Sequence, residues 1–404
     1  MKKLSTRQNF LWNTFGCLTY LGCQWLLTVI VVVASNDYTN SGIFAFVMAT
    51  GVIYSSLGLF GVRPYQVSDL QEQFTSQNYI AFRLITNASS LVIFYVYTFL
   101  ITSDSSIILA SIIYLIFKFD ESFSDVIYGI YQLNERMDFI GISQILRAFI
   151  SLLAFTFPLY LTKDLNLAIL CMFIGCFLVT LIYDLPHAKK FGEIKPKIST
   201  SKTKSLFRAC FFSMFSAMLI GLIATAVRQI YGITQGSYQL GIYAAIATPA
   251  VIIQVAVNYL YSPLLGKFAT ARDDGSAIYK RYFFKILGLI LLAIIVMVVI
   301  LSPLGIQVLP IIYGESINED IAIFPWVLVA TGCLGLLYYL MNNFIVLRKR
   351  TISLTTSGLG FLVSLITSFF FIQEFGMNGI NLSIIAGCLT ASIIGLIFIA
   401  KLKN

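Results

Sequence analysis

Charged residues are scarce in this chain of 404 residues, since Asp, Glu, Lys and Arg together make up 11% of it. Water-soluble domains carry about a quarter charged residues and less than half apolar ones, whereas this chain is 58% hydrophobic. A soluble globule of this composition would expose large apolar patches and aggregate. The same numbers exclude a disordered chain, a collagen, a coiled coil and a disulfide-stapled secreted scaffold. Most of the chain is therefore predicted to have lipid as its solvent.

Residues and motifs typical of catalytic or metal centres are also scarce. His187 is the single histidine, and the seven cysteines lie inside or at the edges of apolar runs, which is typical of small buried side chains. Gly266-Lys267 lacks the rest of a nucleotide-binding P-loop, and zinc-protease, hydrolase and EF-hand motifs are missing. We therefore predict no enzyme, no resident cofactor and no metal site. Energy for any transport would come from an ion gradient or from the substrate's own gradient.

Apolar segments dominate what is present, and a spanning helix needs about 20 mostly apolar residues. The first segment follows a basic start, but it is too long for a signal peptide and polar residues interrupt it, so we interpret it as an uncleaved span. Pro303 and Pro310 are predicted to kink or end the ninth span near the outer face. The twelve predicted spans are 10–33, 42–62, 84–102, 107–131, 142–161, 166–186, 209–231, 240–264, 284–306, 322–347, 352–373 and 378–400.

The placement of the basic residues predicts the orientation. With the N-terminus inside, 24 of the 27 Lys and Arg residues lie in or beside cytoplasmic segments, and Lys163 is the one in an outer loop. This bias predicts an even number of spans and both termini in the cytoplasm. Because the basic residues lie in short loops between apolar runs, the net charge of +9 indicates membrane orientation rather than nucleic-acid binding.

A polar, basic stretch divides the twelve spans into six and six. We predict an N-terminal bundle over 1–188, a cytoplasmic linker over 189–208 and a C-terminal bundle over 209–404. Gly42-Ile-Phe-Ala opens the second span and Gly241-Ile-Tyr-Ala opens the eighth, and Ala-Thr follows each shortly afterwards. This weak repeat favours two halves related by a pseudo-two-fold axis along the membrane normal.

The fourth predicted span carries four charged residues, which is unusual inside a membrane. At 100° per residue, Lys118, Glu121 and Asp125 share one arc with Tyr114, Tyr128 and Gln132. Lys118 would lie about 16 Å deep, near the midplane. Asp120 points away from the arc and is expected to meet another helix. The arc must face protein or water, and it is interpreted as functional, with an ion-pair network that only joins helices as the alternative.

Two further spans contribute polar candidates. Asn13, Tyr20 and Gln24 share one face of the first span. Arg228, on the seventh span, is predicted near the outer face, either as a functional residue or as an anchor that reaches the interface.

Several local patterns accompany the six-plus-six layout and Gly42-Ile-Phe-Ala. They are the sequence from Gly61 to Asp69, the sequence from Gln132 to Asp138 with Arg147, and Phe375-Gly-Met-Asn-Gly before the last span. Together these patterns resemble the polysaccharide repeat-unit flippases of the multidrug/oligosaccharidyl-lipid/polysaccharide exporter superfamily, and the resemblance covers essentially the whole chain. It implies an all-α polytopic protein of a bacterial inner membrane, with two six-helix bundles around a central cavity.

The resemblance also implies a substrate, an oligosaccharide on undecaprenyl diphosphate, which alternating access carries to the outer leaflet for O-antigen, capsule or exopolysaccharide. Polysaccharide polymerase or export machinery are the expected protein partners. Roles follow from polarity and depth: Lys118 with Arg63 or Arg147 at the cytoplasmic entrance would neutralise the diphosphate. Asn13, Tyr20 and Gln24 would bind hydroxyls, Arg228 would complete the cavity, and Glu121 or Asp125 would carry a coupling H⁺ or Na⁺.

Two rival functions remain open from the sequence. A drug or small-cation exporter of the same fold would favour an acidic cavity, and Lys118 and Arg228 argue against it. A membrane polysaccharide polymerase would need a basic outer loop, and the longest predicted outer loops carry no basic residue.

Overall fold

A computed structural model describes residues 4–35, 38–69, 73–261, 264, 268, 271–347 and 349–402. Gly266 and Lys267, named above, therefore lie outside the described residues, and so do the side chains of Pro64 and Ser68 in the sequence from Gly61 to Asp69. The described part of the chain is helical and contains no β-strand, which confirms the predicted all-α class.

The first half of the chain forms eight helices. Six of them carry the first six predicted spans, with short helices after the second and at the end of the sixth. Their bounds are α1 Thr6–Ser35, α2 Tyr38–Leu59, α3 Val62–Ser68, α4 Ser76–Ile101, α5 Ser105–Leu133, α6 Met137–Thr162, α7 Leu165–Val179 and α8 Leu185–Ala188. A π-helical segment, Thr180–Asp184, joins α7 to α8 without a break.

The second half carries the remaining six predicted spans. Their helices are α9 Thr200–Gln235, α10 Ser237–Ala247, α11 Val251–Tyr261, α12 Ser276–Tyr313, α13 Phe324–Val346, α14 Arg350–Phe375 and α15 Asn378–Ala400. The eighth predicted span is thus two helices joined by a 3₁₀ turn at Thr248–Ala250. Pro249 lies in that turn, where it removes a backbone donor and ends the regular helix.

Proline acts differently in the ninth predicted span. Pro303 and Pro310 both lie inside α12, which continues to Tyr313 over 38 residues. Of the two predicted effects, a kink or an end, an end at Pro303 is not observed, because the helix continues through both prolines and ends three residues after Pro310. At 1.5 Å per residue this helix is about 57 Å long, well beyond one bilayer core.

Eleven helices of the described residues are long and apolar enough to cross a membrane. The one predicted span that is not among these eleven is the fourth, α5, which has 29 residues but carries Lys118, Asp120, Glu121 and Asp125. Because of these charges, α5 does not satisfy a criterion based on length and apolar composition alone. The protein is thus a multi-span membrane protein whose fourth span is polar.

Contacts divide the chain into two compact units, Met1–Met214 and Phe215–Asn404. The division falls inside α9, which begins at Thr200. The second part of the predicted linker, from Thr200 to Arg208, is therefore the first part of a helix and packs with the N-terminal unit. Lys197 donates its backbone N–H to the carbonyl of Gln77 at 3.2 Å, which ties the linker to the start of α4.

In the N-terminal unit, α5 packs against α2, α4 and α7, while α1 packs along α6. A Cβ on Gly16 of α1 would lie 2.6 Å from the Cα of Gly141 of α6, so these two backbones touch. In the C-terminal unit, α14 and α15 pack in the same way, and a Cβ on Gly387 would lie 2.6 Å from the carbonyl oxygen of Gly360. Small residues allow such close approach between membrane helices.

Candidate functional site

A cavity of about 280 Å³ opens within the N-terminal unit, on the polar face of α5. Side chains of α1, α2, α3, α5 and α6 form its walls, and most of them are polar or charged. The lining residues are Tyr20, Ser55, Leu59, Arg63, Lys118, Glu121, Ser122, Ser124, Asp125, Tyr128, Gln144 and Arg147. The predicted arc of α5 therefore faces a cavity, because four of its residues are in this wall.

Lys118 and Glu121 form an ion pair one turn apart on α5. The Nζ of Lys118 lies 2.5 Å from Oε2 of Glu121, and the hydroxyl of Tyr20 donates to Oε1 of the same carboxylate at 2.9 Å. The Lys118 ammonium also lies over the rings of Tyr114 and Phe117, at 5.6 and 5.5 Å from their centroids. Both charges are thus compensated inside the span, and the aromatic faces add cation–π attraction.

Asp125 is shared by two arginines. Arg63 of α3 approaches Oδ1 at 3.2 Å, and Arg83 of α4 approaches Oδ2 at 2.8 Å. Arg83 is fully buried and also donates to the carbonyl of Gly58 at 2.9 Å, whereas Arg63 is 22% exposed and donates to Gln132. Two guanidinium groups on one carboxylate leave one excess positive charge here, and the exposed member, Arg63, lines the cavity.

A third charge cluster lies where α5, α6 and α7 meet. Arg147 of α6 pairs with Asp120 at 2.8 Å and with Asp184 at 3.3 Å, and it also donates to the hydroxyls of Ser124 and Thr180. Arg147 is 3% exposed and Asp184 is fully buried. The sequence prediction placed Arg147 at the cytoplasmic entrance; in the structure Arg147 belongs to this buried cluster and also lines the cavity. Two carboxylates on one guanidinium leave one excess negative charge.

The sequence analysis did not identify two of these ion-pair partners, which are far from α5 along the sequence. Arg83 was predicted among the cytoplasmic charges, and Asp184 was not singled out, yet both are buried ion-pair members. Helical periodicity reports which residues of one helix share a face, but it does not report which helix lies opposite. The signal available was that both residues adjoin or lie within apolar segments, where a charge needs a partner.

The remaining predicted residues lie beside the cavity or outside this unit. Asn13 is half-buried on α1, and Gln24 donates to the Oγ of Ser151 on α6 at 3.4 Å, but neither lines the cavity. Arg228 belongs to the C-terminal unit, where its guanidinium lies 5.6 Å from the ring centroid of Tyr243. The hydroxyl of Tyr243 donates in turn to Asn381 at 2.9 Å.

The cavity therefore carries a graded charge: positive at Arg63, neutral at the Lys118–Glu121 pair and negative at the Arg147 cluster. Two uncharged polar atoms in its wall, the side-chain oxygens of Gln144 and Ser122, are buried and have no hydrogen-bond partner among the described residues. Such groups are costly to bury unpaired and are satisfied by a bound hydroxyl or by water. The site suits a polar ligand that carries an anionic group.

Comparisons with known proteins agree with this polar, multi-span architecture. No family model matches the chain. The capsular polysaccharide biosynthesis protein CapF of Staphylococcus aureus is 25% identical over 370 residues, which are 90% of this chain and 91% of that protein.

Transporters and a flippase are among the solved structures that match. An inward-facing multidrug resistance MATE family transporter of the MOP superfamily matches with a TM-score of 0.71 at 13% identity, over 99% of this chain and 98% of that one. The lipid II flippase MurJ, in an inward closed conformation, matches with a TM-score of 0.73 at 10% identity, over 97% and 88%. The chain thus has the fold of MOP superfamily transporters and flippases, and its homologue is a protein of capsular polysaccharide biosynthesis.

Proposed function

We propose that the protein flips an oligosaccharide linked to undecaprenyl diphosphate from the cytoplasmic to the outer leaflet by alternating access. The observation that carries the proposal is the cavity of the N-terminal unit, which combines an excess positive charge at Arg63 with uncharged hydrogen-bonding groups. The fold and the capsular polysaccharide homologue support the same function.

The cationic end of the cavity fits a diphosphate. Arg63 presents a planar guanidinium that is only 22% exposed and shares its carboxylate with Arg83. Guanidinium groups bind phosphate oxygens through paired, charge-assisted hydrogen bonds, and partial burial strengthens these bonds. Because Arg83 already neutralises Asp125, Arg63 can pair with a phosphate without leaving that carboxylate uncompensated.

The rest of the wall fits sugar hydroxyls. Gln144, Ser122 and Ser55 supply polar side chains to the wall, and Tyr20 and Tyr128 add aromatic rings of the kind that can lie against a sugar face. Lys118 would bind the phosphate of the substrate in place of Glu121, its ion-pair partner in this structure. The prenyl chain needs no protein site, since it stays in the lipid.

A drug or small-cation exporter is disfavoured by the same geometry. Cation binding needs a carboxylate that is free of other cations, yet Glu121 is paired with Lys118, and Asp125 is paired with two arginines. An amphipathic cation would meet Arg63 and Lys118 beside every carboxylate of the cavity wall. A membrane polysaccharide polymerase is the weaker alternative, because the residues that line this cavity do not resemble a set of catalytic groups.

Reconstituted flipping tests the proposal directly. A fluorescent undecaprenyl-diphosphate oligosaccharide is placed in vesicles that contain the purified protein, and its arrival in the other leaflet is followed by access to a membrane-impermeant reagent. Arg63→Gln is expected to slow flipping about tenfold or more, because it removes a charge-assisted contact to the diphosphate. Lys204→Gln, which removes the same charge from an exposed position, is the matched control and should flip at the wild-type rate. Wild-type vesicles that flip no faster than protein-free vesicles would refute the proposed function.

A further inference from the structure

The cluster around Arg147 is one proton short of neutrality. Asp120 and Asp184 together carry two negative charges when ionised, and Arg147 supplies one positive charge. All three side chains are at most 4% exposed. An uncompensated buried charge costs several kcal/mol, and a single proton on one carboxylate removes it. By contrast, Glu121 and Asp125, the carboxylates of the cavity wall, each have a cationic partner of their own.

The two carboxylates are not held equally. Asp120 uses both oxygens: Oδ2 lies 2.8 Å from Nη1 of Arg147, and Oδ1 accepts from the hydroxyl of Thr180 at 2.5 Å. Asp184 lies farther from the guanidinium, at 3.3 Å, and its Oδ1 has no hydrogen-bond partner among the described residues. The Nε of Arg147 is likewise buried and unpartnered. The less compensated carboxylate, Asp184, is therefore the one that gains most from a proton.

The backbone beneath Asp184 is also unusual. Thr180 and Asp184 begin and end the π-helical segment, and the hydroxyl of Tyr131 fixes its end by donating to the carbonyl of Asp184 at 2.7 Å. Single π-helical turns inside α-helices are often found at functional sites. The titratable or polar groups around the Asp184 carboxyl are Arg147, Asp120, Tyr128, Tyr131, Tyr183 and Ser143, and Cys176 contacts the backbone of Arg147.

We propose that Asp184, together with Asp120 and Arg147, is a proton-binding site of the N-terminal unit. The proton moves from water onto Oδ1 of Asp184 and makes the cluster neutral. The sequence analysis favoured Glu121 or Asp125 as the ion carrier. Each of those carboxylates has at least one basic partner of its own, whereas Asp120 and Asp184 share a single arginine.

Arg147 links this site to the cavity, because it lines the cavity wall. Protonation of Asp184 removes one of the two anionic partners of Arg147, which makes the guanidinium available to an anion in the cavity. An anion on Arg147 favours protonation of Asp184 in return, since coupling between two binding events is reciprocal. The proton site does not depend on the substrate, whereas its use in coupling rests on the proposed function.

Infrared difference spectroscopy of the whole purified protein tests the site itself. Between about pH 6 and about pH 9, above the range in which exposed carboxyls titrate, the wild type is expected to show the carbonyl band of a protonated carboxyl, with one proton bound per chain. Asp184→Asn and Asp120→Asn are each expected to lose this band, because either change leaves a neutral pair with Arg147. Glu121→Gln should keep it. A wild type without the band, or a band that survives in both Asp→Asn variants, would overturn the proposal.

Vesicles with an imposed pH gradient test the coupling. The gradient is expected to change the wild-type rate of flipping the undecaprenyl-diphosphate probe, whereas Asp184→Asn should flip at a rate that no longer responds to the gradient. If wild-type vesicles flip nothing while the infrared band behaves as expected, the proposed function fails and the proton site stands. If the variant responds to the gradient as the wild type does, the site has no part in coupling.

Discussion

At the level of single residues, the ion pair of Lys118 and Glu121 has two separable roles. One is structural, since each group neutralises the other inside the span at 2.5 Å. The other is the proposed contact between Lys118 and the substrate anion. Removing one member leaves the other charge uncompensated in a part-buried position and lowers stability, so loss of activity in a simple deletion does not separate the two roles.

Substitution of Lys118 distinguishes them. Lys118→Ala is expected to abolish most export of surface polysaccharide at matched protein levels, while Lys118→Arg keeps the charge and should keep a substantial part of it. The double variant Lys118→Ala with Glu121→Gln removes the unpaired carboxylate and should restore the amount of folded protein without restoring export. Full export by the alanine form would remove Lys118 from the mechanism.

Asp69, at the end of α3, provides a residue-level test of pH dependence. Burial raises the pKa of Asp69, but hydrogen bonds from the Tyr79 hydroxyl and from the backbone N–H groups of Gln73 and Phe74 outweigh it, so the pKa lies below its usual range. A lowered carboxyl pKa stabilises the folded state above the ordinary value of 3.8, and this contribution is lost as the pH falls through the lowered value.

The expected consequence is a local loss of stability in acid. Thermal unfolding, measured from near neutrality down to about pH 3, should show a smaller acid-side decrease in Asp69→Asn than in the wild type. The variant should also be less stable at neutral pH, because the neutral amide accepts these hydrogen bonds more weakly. If the unfolding temperatures of the two proteins fall in parallel as the pH decreases, Asp69 does not contribute to the pH dependence of stability.

At the level of helices, the sequence predicts which segments are helical better than it predicts where a helix changes conformation or which helix it contacts. Apolar length located eleven of the helices that can cross a membrane, and a helix, α5, also lies at the fourth predicted span. The position of the charges on one face of α5 followed from its periodicity. The 3₁₀ turn at Thr248–Ala250 and the π-helical segment at Thr180–Asp184 did not follow, since both depend on how a helix adapts to its neighbours. Partners of the buried charges were missed for the same reason, because Arg83 and Asp184 meet α5 only in the folded bundle.

The packing of α1 on α6 gives a prediction with a control on the same helix. A Cβ at Gly16 would lie 2.6 Å from the backbone of Gly141, whereas a Cβ at Gly22 meets nothing within 4 Å. Alanine favours a helix over glycine by about 1 kcal/mol, so Gly22→Ala should be neutral or slightly stabilising. Gly16→Ala must push two backbones apart and is expected to cost about 1–3 kcal/mol in spite of that gain. The unfolding midpoints of the Gly16→Ala and Gly22→Ala variants are measured in the same detergent. Equal midpoints would contradict the close contact between Gly16 and Gly141.

At the level of the whole molecule, the two units hold different polar chemistry. The N-terminal unit concentrates buried ion pairs around α5, whereas the C-terminal unit buries uncharged pairs, such as Tyr243 with Asn381 and Tyr279 with Asn343. Arg228 lies on the ring of one of these tyrosines. Both units also present large apolar side chains outward, for example Leu100 at 80% and Ile311 at 83% exposed, as lipid contact requires. Charge-dependent recognition is therefore expected from the first unit, and neutral hydrogen bonding from the second.

The bias of the basic residues predicts how the whole chain is arranged across the membrane. With 24 of 27 Lys and Arg predicted on one side, a reversed orientation would require that side, including the exposed segment from Lys189 to Lys204, to cross the bilayer. Alkaline phosphatase folds to an active form only outside the cytoplasm, so a fusion after Asp164 should be active. Fusions after Lys197 and at the C-terminus should be inactive, while green fluorescent protein at those two sites should fluoresce. An active phosphatase after Lys197 would place the cationic end of the cavity, at Arg63, on the outer side, and a substrate assembled in the cytoplasm would then no longer meet it first.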